Sequence, residues 1–447
     1  MRRLRSILAA ATPPLEARHR SSGLNTRFNG SQLAFAEYVA LNRDMLIRTH
    51  SALGAVNLEK IVDGNAPFEL KPNNPSPPPV RKGRREAAGN PPAYSLRVCR
   101  GRTREGVETL LPCREKPYRR GVLLTHGLTD SPYFMRHLAW FFQENGFRVM
   151  AVLLPGHGTQ PGDLLDVTWR EWAKAVAYGA DRLAEEVDEI YLAGFSAGGT
   201  LSVYQSLRDN RVRGLFLFAP ALKIAPRAAL ANLHKLYSRL MPSGKWARIN
   251  PDRDIYKYES LPKNAVAQLY ALTKELGARL REHEVGIPVF AAASEDDVSV
   301  NTSATVEFMA RARHPSSKLV LYTTDAEKSS PDIPAEKRAA GEFRGTAKPE
   351  WVNSVFPDRK ILSSAHTAIV LPDHDMHYGA AGDYFNCIHY YPDDIEKYAA
   401  CNNNPEADLQ GELTEENLKV GILRRLMYNP NFAALKVSMQ RFIDSLP

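Results

Sequence analysis

The chain has 447 residues, of which 44% are hydrophobic and 24% charged, and it carries a formal net charge of +8. This composition is typical of a globular protein with one large domain plus additions, or with two domains. No run approaches the roughly 18 apolar residues of a membrane span, and the basic residues are too dispersed to predict a nucleic-acid partner. The positive charge does allow peripheral contact with an anionic membrane surface.

Two features bear on the compartment in which the chain works. The amino terminus has a basic head and a short apolar stretch, which is less than the core of a normal export signal and slightly favours the cytoplasm. Cys99 and Cys113 flank a predicted hairpin, and Cys387 and Cys401 share a loop-rich segment. Two disulfides would indicate a periplasmic or secreted protein, whereas four free thiols would agree with a reducing compartment.

Residues 1–93 are predicted to form an amino-terminal region in three parts. Residues 1–25 resemble a mobile tail, and residues 31–53 have helical apolar spacing with Ser31 as the N-cap. Residues 72–92 are rich in Pro, Asn, Arg and Gly and are interpreted as a linker. We expect the helical arm to pack on the main domain, because alone it is too small to bury a core.

Residues 94–447 show apolar runs that alternate with amphipathic stretches. A hairpin is predicted at 95–101 and 109–113, strands at 121–126, 147–154, 189–195, 212–218, 287–293 and 318–323, and helices at 131–144 and 169–187. This alternation predicts an α/β fold with a mostly parallel central sheet and helices on both faces. Residues 221–286 contain no predicted strand and are expected to form a helical cap insertion over the carboxyl ends of the strands. Residues 325–356 are predicted to form a polar insertion.

A G-x-S-x-G element at residues 194–198 lies between a predicted strand and a predicted helix. Its glycines allow a sharp turn that lifts Ser196 clear of the sheet. The turn also points the amide of Ala197 to the place where an oxyanion would form, at the positive end of the helix. Taken alone, the motif is equally compatible with a glycine-rich connection that has no catalytic role.

Three further motifs accompany this element in a fixed order: VLLTHGLTDSP at 122–132, LPGHGT at 154–159 and TWREW at 168–172. Together the four motifs resemble those of α/β-hydrolases of the monoacylglycerol lipase and lysophospholipase-like carboxylesterase group, over roughly residues 121–297. The resemblance implies the α/β-hydrolase fold. It also implies that the backbone N–H of Leu128, beside His126 and Gly127, is a second oxyanion donor. His157 precedes the serine and is interpreted as a residue that shapes its loop.

On this fold the catalytic order is serine, acid, histidine. The acid is expected after the strand at 287–293, where Asp297 fits the turn of the family best and Asp296 is the alternative. The base is expected after the last strand, which we predict at residues 361–363. This order favours His366. His374 and His377 are the alternatives. His314 and His389 also lie downstream of the acid. A metal site at His374, Asp375 and His377 is not favoured, because no further set has metal-ligand spacing.

The sequence therefore predicts a serine hydrolase of carboxylic esters that needs no metal or organic cofactor. The resemblance implies acylglycerol- or lysophospholipid-like lipids as substrates. A thioesterase or acyltransferase with the same three residues, or a non-catalytic binding protein, remains an alternative. Apolar cap residues are candidates for an acyl pocket, although most of them are expected to pack the cap on the core: Leu222, Leu230, Leu233, Leu236, Tyr237, Leu240, Met241, Leu269 and Leu272. The oligomeric state, acyl length and headgroup are not predicted.

Overall fold

The computed structural model describes residues 13–73, 98–102, 108–112, 116–224, 242–330, 347, 349–403 and 409–446. The strands are β1 (Phe68–Leu70), β2 (Val98–Arg102), β3 (Glu108–Pro112), β4 (Tyr118–Thr125), β5 (Arg148–Val152), β6 (Val187–Phe195), β7 (Val212–Phe218), β8 (Trp246–Arg248), β9 (Leu261–Pro262), β10 (Val289–Ser294), β11 (Lys318–Thr323), β12 (Pro349–Asn353), β13 (Leu409–Gly411) and β14 (Leu423–Arg425). The α-helices are α1 (Phe35–Ala52), α2 (Leu58–Asn65), α3 (Arg136–Glu144), α4 (Trp169–Glu186), α5 (Ala197–Ser206), α6 (Lys263–Glu282), α7 (Thr302–Arg311), α8 (Ala326–Ser329), α9 (Ile395–Asn403), α10 (Asn417–Val420) and α11 (Phe432–Asp444).

The central sheet has the strand order β1-β5-β4-β6-β7-β10-β11-β12. All of its neighbouring strands run parallel except β1, which is antiparallel to β5. Alternate residues of β4 face opposite sides, so Leu123 packs in a core with α4, α5 and α6, whereas Val122 and Leu124 pack in a core with α3 and α11. The predicted α/β architecture, with a mostly parallel sheet covered by helices on both faces, is confirmed.

The amino-terminal region departs from the prediction in three places. Helix α1 begins after Ala34, whose N–H donates to the Glu37 carboxylate (3.0 Å), and Ser31 is not its N-cap. Residues 13–25 are not a free tail, because His19 and Asn25 are buried. Their anchors are hydrogen bonds of polar groups, such as Asn25 Nδ2 to the His157 carbonyl (2.7 Å) and Ser22 Oγ to Asp163 Oδ2 (2.7 Å), and such bonds leave no periodic signal in a sequence. Strand β1 was not predicted, and the domain division at residue 93 stays a prediction.

No strand was predicted in the segment after β7, but the structure has two. Strands β8 and β9 form a small antiparallel pair ahead of α6. At three and two residues, they are too short to give a period-two pattern. Leu269 and Leu272 of α6 are buried in the core, and Leu222 packs against that core. The remaining candidate acyl-pocket residues, between 230 and 241, lie outside the described residues.

The last strand of the central sheet is β12, within the predicted polar insertion at 325–356. The prediction of a last strand at 361–363 was wrong, since Ile361 makes only isolated bridges to Phe356 and Gln410. Strand β12 lies at the edge of the sheet and its residues are half-buried or exposed, so it lacks the apolar run of a central strand.

Cys387 and Cys401 form a disulfide bond with a Cα–Cα distance of 6.0 Å. It joins the residue that precedes the 3-10 helix Ile388–Tyr390 to helix α9. The predicted pair of Cys99 and Cys113 lies outside the residues whose side chains are described. In the described part of the chain, no helix is long and apolar enough to cross a membrane.

Candidate active site

Ser196 occupies the turn between the end of β6 and the start of α5, at the carboxyl edge of the sheet. Its backbone has φ 53° and ψ −116°, a conformation that residues other than glycine rarely adopt. The neighbouring glycines make this turn possible. A Cβ atom on Gly194 would stand 2.3 Å from the carbonyl carbon of Gly198, and one on Gly198 would stand 2.1 Å from the Thr125 carbonyl oxygen. The strand and the helix therefore meet too closely for side chains at these two positions.

Ser196, His366 and Asp297 form a continuous chain of side-chain contacts. Ser196 Oγ lies 3.0 Å from His366 Nε2, and His366 Nδ1 lies 2.6 Å from Asp297 Oδ2. His366 begins the 3-10 helix His366–Ala368, and its ring lies 5.1 Å from that of Phe195. The structure thus brings together the three residues that the sequence analysis selected from positions up to 170 residues apart.

The two neighbouring aspartates have different surroundings. The Asp297 side chain is fully buried, and its Oδ1 accepts the N–H groups of Ser299 (2.7 Å) and Val300 (3.0 Å). Burial raises the pKa of Asp297, but His366 and these two N–H groups outweigh it, so the pKa lies below the usual 3.8. Asp297 is therefore a carboxylate at neutral pH, fixed at both of its oxygens.

Asp296, the alternative acid, does not contact His366. Thr324 Oγ1 donates to its Oδ1 over 3.4 Å, and within the described residues its buried Oδ2 has no partner. Burial raises the pKa of Asp296 to about 6, and the nearby carboxylates of Glu295 and Glu412 add to the rise.

The loop after β4 lies directly against Ser196. A Cβ atom on Gly127 would stand 3.2 Å from the Ser196 Cβ, which puts Leu128 beside the serine. His126 fixes this loop, because its Nε2 accepts the Leu154 N–H (3.1 Å) and its Nδ1 donates to the Gly127 carbonyl (2.9 Å). Burial lowers the pKa of His126, which keeps the ring neutral. No hydrogen bond links the N–H of Leu128 or Ala197 to the rest of the described chain.

A second anchor of this loop was not predicted. The Asp130 carboxylate is buried and pairs with Lys257, which also donates to Thr129 Oγ1 (3.0 Å). The Tyr258 N–H donates to the Thr129 carbonyl (2.9 Å). Burial raises the pKa of Asp130, and Lys257 offsets part of that rise. The loop that carries Leu128 is thus tied to residues almost 130 positions later, a contact for which the sequence has no local signal.

The other candidate histidines lie elsewhere. His374 is exposed beside Asp373, whereas His377 is buried between Asp254 and Asp383. Burial lowers the pKa of His377, but these two carboxylates outweigh it and the pKa is raised. Asp375 accepts hydrogen bonds from His137 (2.8 Å) and Tyr133 (3.1 Å). The described residues contain no group of three or more His, Cys, Asp or Glu arranged to hold a metal.

His157, His314 and His389 also lie away from Ser196. The His157 Nδ1 contacts the Pro155 carbonyl (3.1 Å), and burial lowers its pKa to about 4. The His314 Nδ1 accepts the Ser316 N–H (3.2 Å). His389 packs against Tyr390, and burial lowers its pKa to about 4.

Comparison with known proteins places these motifs in a family context. Residues 116–324, a little under half of the chain, match the hydrolase family described as serine aminopeptidase, S33. The chain is 32% identical over 160 residues to a thermostable monoacylglycerol lipase from Bacillus sp. (strain H-257), covering 36% of this chain and 64% of that enzyme. It is 24% identical over 202 residues to a carboxylesterase of Bacillus subtilis (strain 168), covering 44% of this chain and 80% of that enzyme.

Among solved structures, the monoacylglycerol lipase of Paleococcus ferrophilus has a TM-score of 0.38 at 19% identity, covering 46% of this chain and 86% of that one. The resemblance to the α/β-hydrolase group that the sequence motifs indicated is confirmed by the family match and the curated relatives. The chain spans 64%, slightly less than two thirds, of the first of these relatives.

Proposed function

Because the chain is an α/β-hydrolase with similarity to monoacylglycerol lipases and carboxylesterases, we propose that it hydrolyses carboxylic esters through an acyl-enzyme on Ser196. The observation that carries this proposal is the contact chain from Ser196 Oγ through His366 to Asp297. A serine whose hydroxyl contacts an imidazole, which a buried carboxylate orients in turn, is the arrangement that activates a nucleophile.

In the first half of the reaction, Ser196 Oγ attacks the acyl carbon and His366 Nε2 takes the hydroxyl proton. The negative charge that develops on the carbonyl oxygen is held by the N–H groups of Leu128 and Ala197, at about 3 kcal/mol for each donor. The tetrahedral intermediate then collapses, and His366 gives the proton to the leaving alcohol oxygen. Asp297 keeps the imidazole in the productive tautomer and stabilises the imidazolium.

In the second half, water replaces the alcohol. His366 takes a proton from the water as it attacks the acyl-enzyme, and returns it to Ser196 Oγ when the fatty acid leaves. The net reaction consumes one ester and one water and gives one acid and one alcohol. No cofactor takes part in this sequence.

The proposed substrates are lipid esters with one acyl chain, such as monoacylglycerols or lysophospholipids. This choice rests on the relation to a monoacylglycerol lipase and on the net charge of +8, which favours anionic lipid surfaces. A series of monoacylglycerols and lysophospholipids of increasing chain length, scored by the fatty acid released, tests the class. Release of acid from an acyl thioester at a higher kcat/KM would assign the chain to the thioesterases instead.

The nucleophile is tested by labelling with a fluorophosphonate. Ser196→Ala should abolish both labelling and ester hydrolysis while the protein stays folded. Ser202→Ala is the matched control, because Ser202 is also buried on α5 and its hydroxyl donates only to the Gly198 carbonyl (2.9 Å). If Ser196→Ala were labelled at the rate of the unmodified protein, the assignment would be wrong.

The compartment is proposed to be oxidising, because Cys387 and Cys401 form a disulfide bond. Trapping of free thiols in protein taken directly from its native source, followed by intact mass measurement, tests this point. Alkylation of both cysteines without prior reduction would place the chain in a reducing compartment.

A further inference from the structure

Behind the candidate active site lies a buried ion pair between Glu412, which follows β13, and Arg425, which ends β14. Arg425 Nε donates to Glu412 Oε1 (2.8 Å) and its Nη2 donates to Oε2 (2.9 Å). The Glu412 side chain is fully buried and that of Arg425 is 16% exposed. Two-point contact of this kind fixes orientation as well as distance.

Each member of the pair also contacts one of the two segments that carry the acid and the base. Glu412 Oε2 accepts the backbone N–H of His366 (2.8 Å). Arg425 Nη2 donates to Ser299 Oγ (2.6 Å), and the N–H of Ser299 donates to Asp297 Oδ1 (2.7 Å). With the contact between His366 and Asp297, these bonds close a ring of five residues.

This ring supplies an anchor that regular secondary structure does not. Asp297 lies in a turn between β10 and α7, and His366 follows an irregular stretch after β12, so no strand ladder fixes the backbone of either residue. The spacing of 2.6 Å between His366 Nδ1 and Asp297 Oδ2 therefore depends on side-chain contacts.

The segment that carries the pair is itself held in place on both sides. The N–H of Arg425 donates to the Asn386 carbonyl (3.0 Å), next to Cys387. The neighbouring Arg424 donates through Nε to the carbonyl of Cys401 (2.9 Å). The disulfide-linked segment thus contacts β14 near both of its bonded cysteines.

We propose that Glu412 and Arg425 are positioning residues that hold the acid-bearing turn and the base-bearing loop in register. This inference rests on the proposed function of Ser196, Asp297 and His366. Neither residue touches the reacting atoms, and the pair acts through the backbone of His366 and through Ser299. Its contribution is to alignment, which a displacement of about 1 Å can reduce about 100-fold in rate.

The test compares four variants of the full chain, one of them a control, on a short-chain ester. Removing one member alone leaves a buried charge without a partner, which endangers folding. The double variant Glu412→Gln with Arg425→Met removes both charges at similar volume. It should lose about 10- to 100-fold in kcat with KM within about twofold of the unmodified protein. Arg425→Lys in the otherwise unmodified chain should lose less kcat than the double variant, since lysine keeps the charge but not the two-point contact.

Ser299→Ala provides a variant with little risk to folding, because Ser299 is exposed. It removes only the bond from Arg425 and should lower kcat several-fold. The matched control is Glu186→Gln, which weakens the pairing of Arg148 with Glu186 (2.6 Å) at the opposite end of the sheet. This control should lower Tm and leave kcat unchanged.

Hydrogen exchange of the peptide that contains His366 gives a readout independent of activity. The double variant should exchange faster there, whereas Glu186→Gln should not. Folded double and Ser299→Ala variants with kcat within twofold of the unmodified protein, and unchanged exchange at His366, would overturn the positioning role. Failure of the unmodified protein to react with fluorophosphonate, with exchange still altered in the double variant, would instead refute the proposed function.

Discussion

Replacing Asp297 with asparagine is expected to reverse the tautomer of His366. One oxygen of Asp297 accepts the N–H groups of Ser299 and Val300, and the other contacts His366 Nδ1. In an asparagine, the amide oxygen must accept the N–H groups of Ser299 and Val300, because an NH₂ group in that position would face two N–H donors. The NH₂ group then points at Nδ1, which has to accept, so the proton moves to Nε2.

A histidine protonated at Nε2 cannot take the proton of Ser196. The corresponding change in a well-studied serine protease lowers kcat by about 10⁴, a barrier increase of about 5.5 kcal/mol. We expect a loss of the same order for Asp297→Asn, with KM nearly unchanged. The assay is hydrolysis of a short-chain ester at pH 8, together with the rate of fluorophosphonate labelling.

Asp296→Asn is the paired control, since it makes the same chemical change one residue away. Asp296 has a raised pKa and a buried oxygen without a partner in the described chain, so its amide should be tolerated with activity within a fewfold of the unmodified protein. If Asp296→Asn were the inactive variant and Asp297→Asn nearly normal, the acid would be Asp296 and the tautomer argument would fail.

Three other changes follow from the structure. Burial raises the pKa of Glu259 from 4.5 to about 7, so between these values the folded state binds a proton that the unfolded state releases, and stability falls as pH rises through 7. Glu259→Gln should remove this pH-dependent loss of about 3 kcal/mol in the free energy of unfolding, measured by urea unfolding at pH 5 and pH 8. Gly198→Ala would place a methyl group against the Thr125 carbonyl and should lower Tm and abolish labelling; normal values for both would contradict the tight turn. Serine at both Cys387 and Cys401 opens a loop of 14 residues and should cost about 3 kcal/mol, measured against the oxidised protein. An equal stability in reductant would show that the bond does not form.

The sequence was informative where structure depends on neighbouring residues. Ser196 could be found because its turn requires glycines at fixed positions on either side. The buried strands could be found because a parallel sheet covered on both faces needs continuous apolar runs. The candidate residues Asp297 and His366 followed from the chain order of the family and from short local patterns. In the structure His366 contacts both Ser196 and Asp297.

Apart from β8 and β9, which are too short to give a pattern, the misses concern residues whose role depends on their place in the sheet or on distant partners. Strand β12 is polar because it lies at an edge, so the choice of His366 rested on a last strand placed 12 residues too late at its start. Glu412 and Lys257 contact the site from 46 and 127 residues away, and each resembles any other charged residue in its own neighbourhood. A single sequence offers no means to select them.

Strand β1 bears on how far the chain could be shortened. It pairs with β5 at Phe68 opposite Ala151 and Leu70 opposite Val149, and every residue of β5 is buried. The α1–α2 region adds cover at Leu153 through Met45 and Leu46. A fragment that began at residue 116, where the family match starts, would present β5 as a bare apolar edge with unpaired N–H and C=O groups. Such a fragment should self-associate through strand addition, so the amino-terminal segment serves the solubility of the sheet that it precedes.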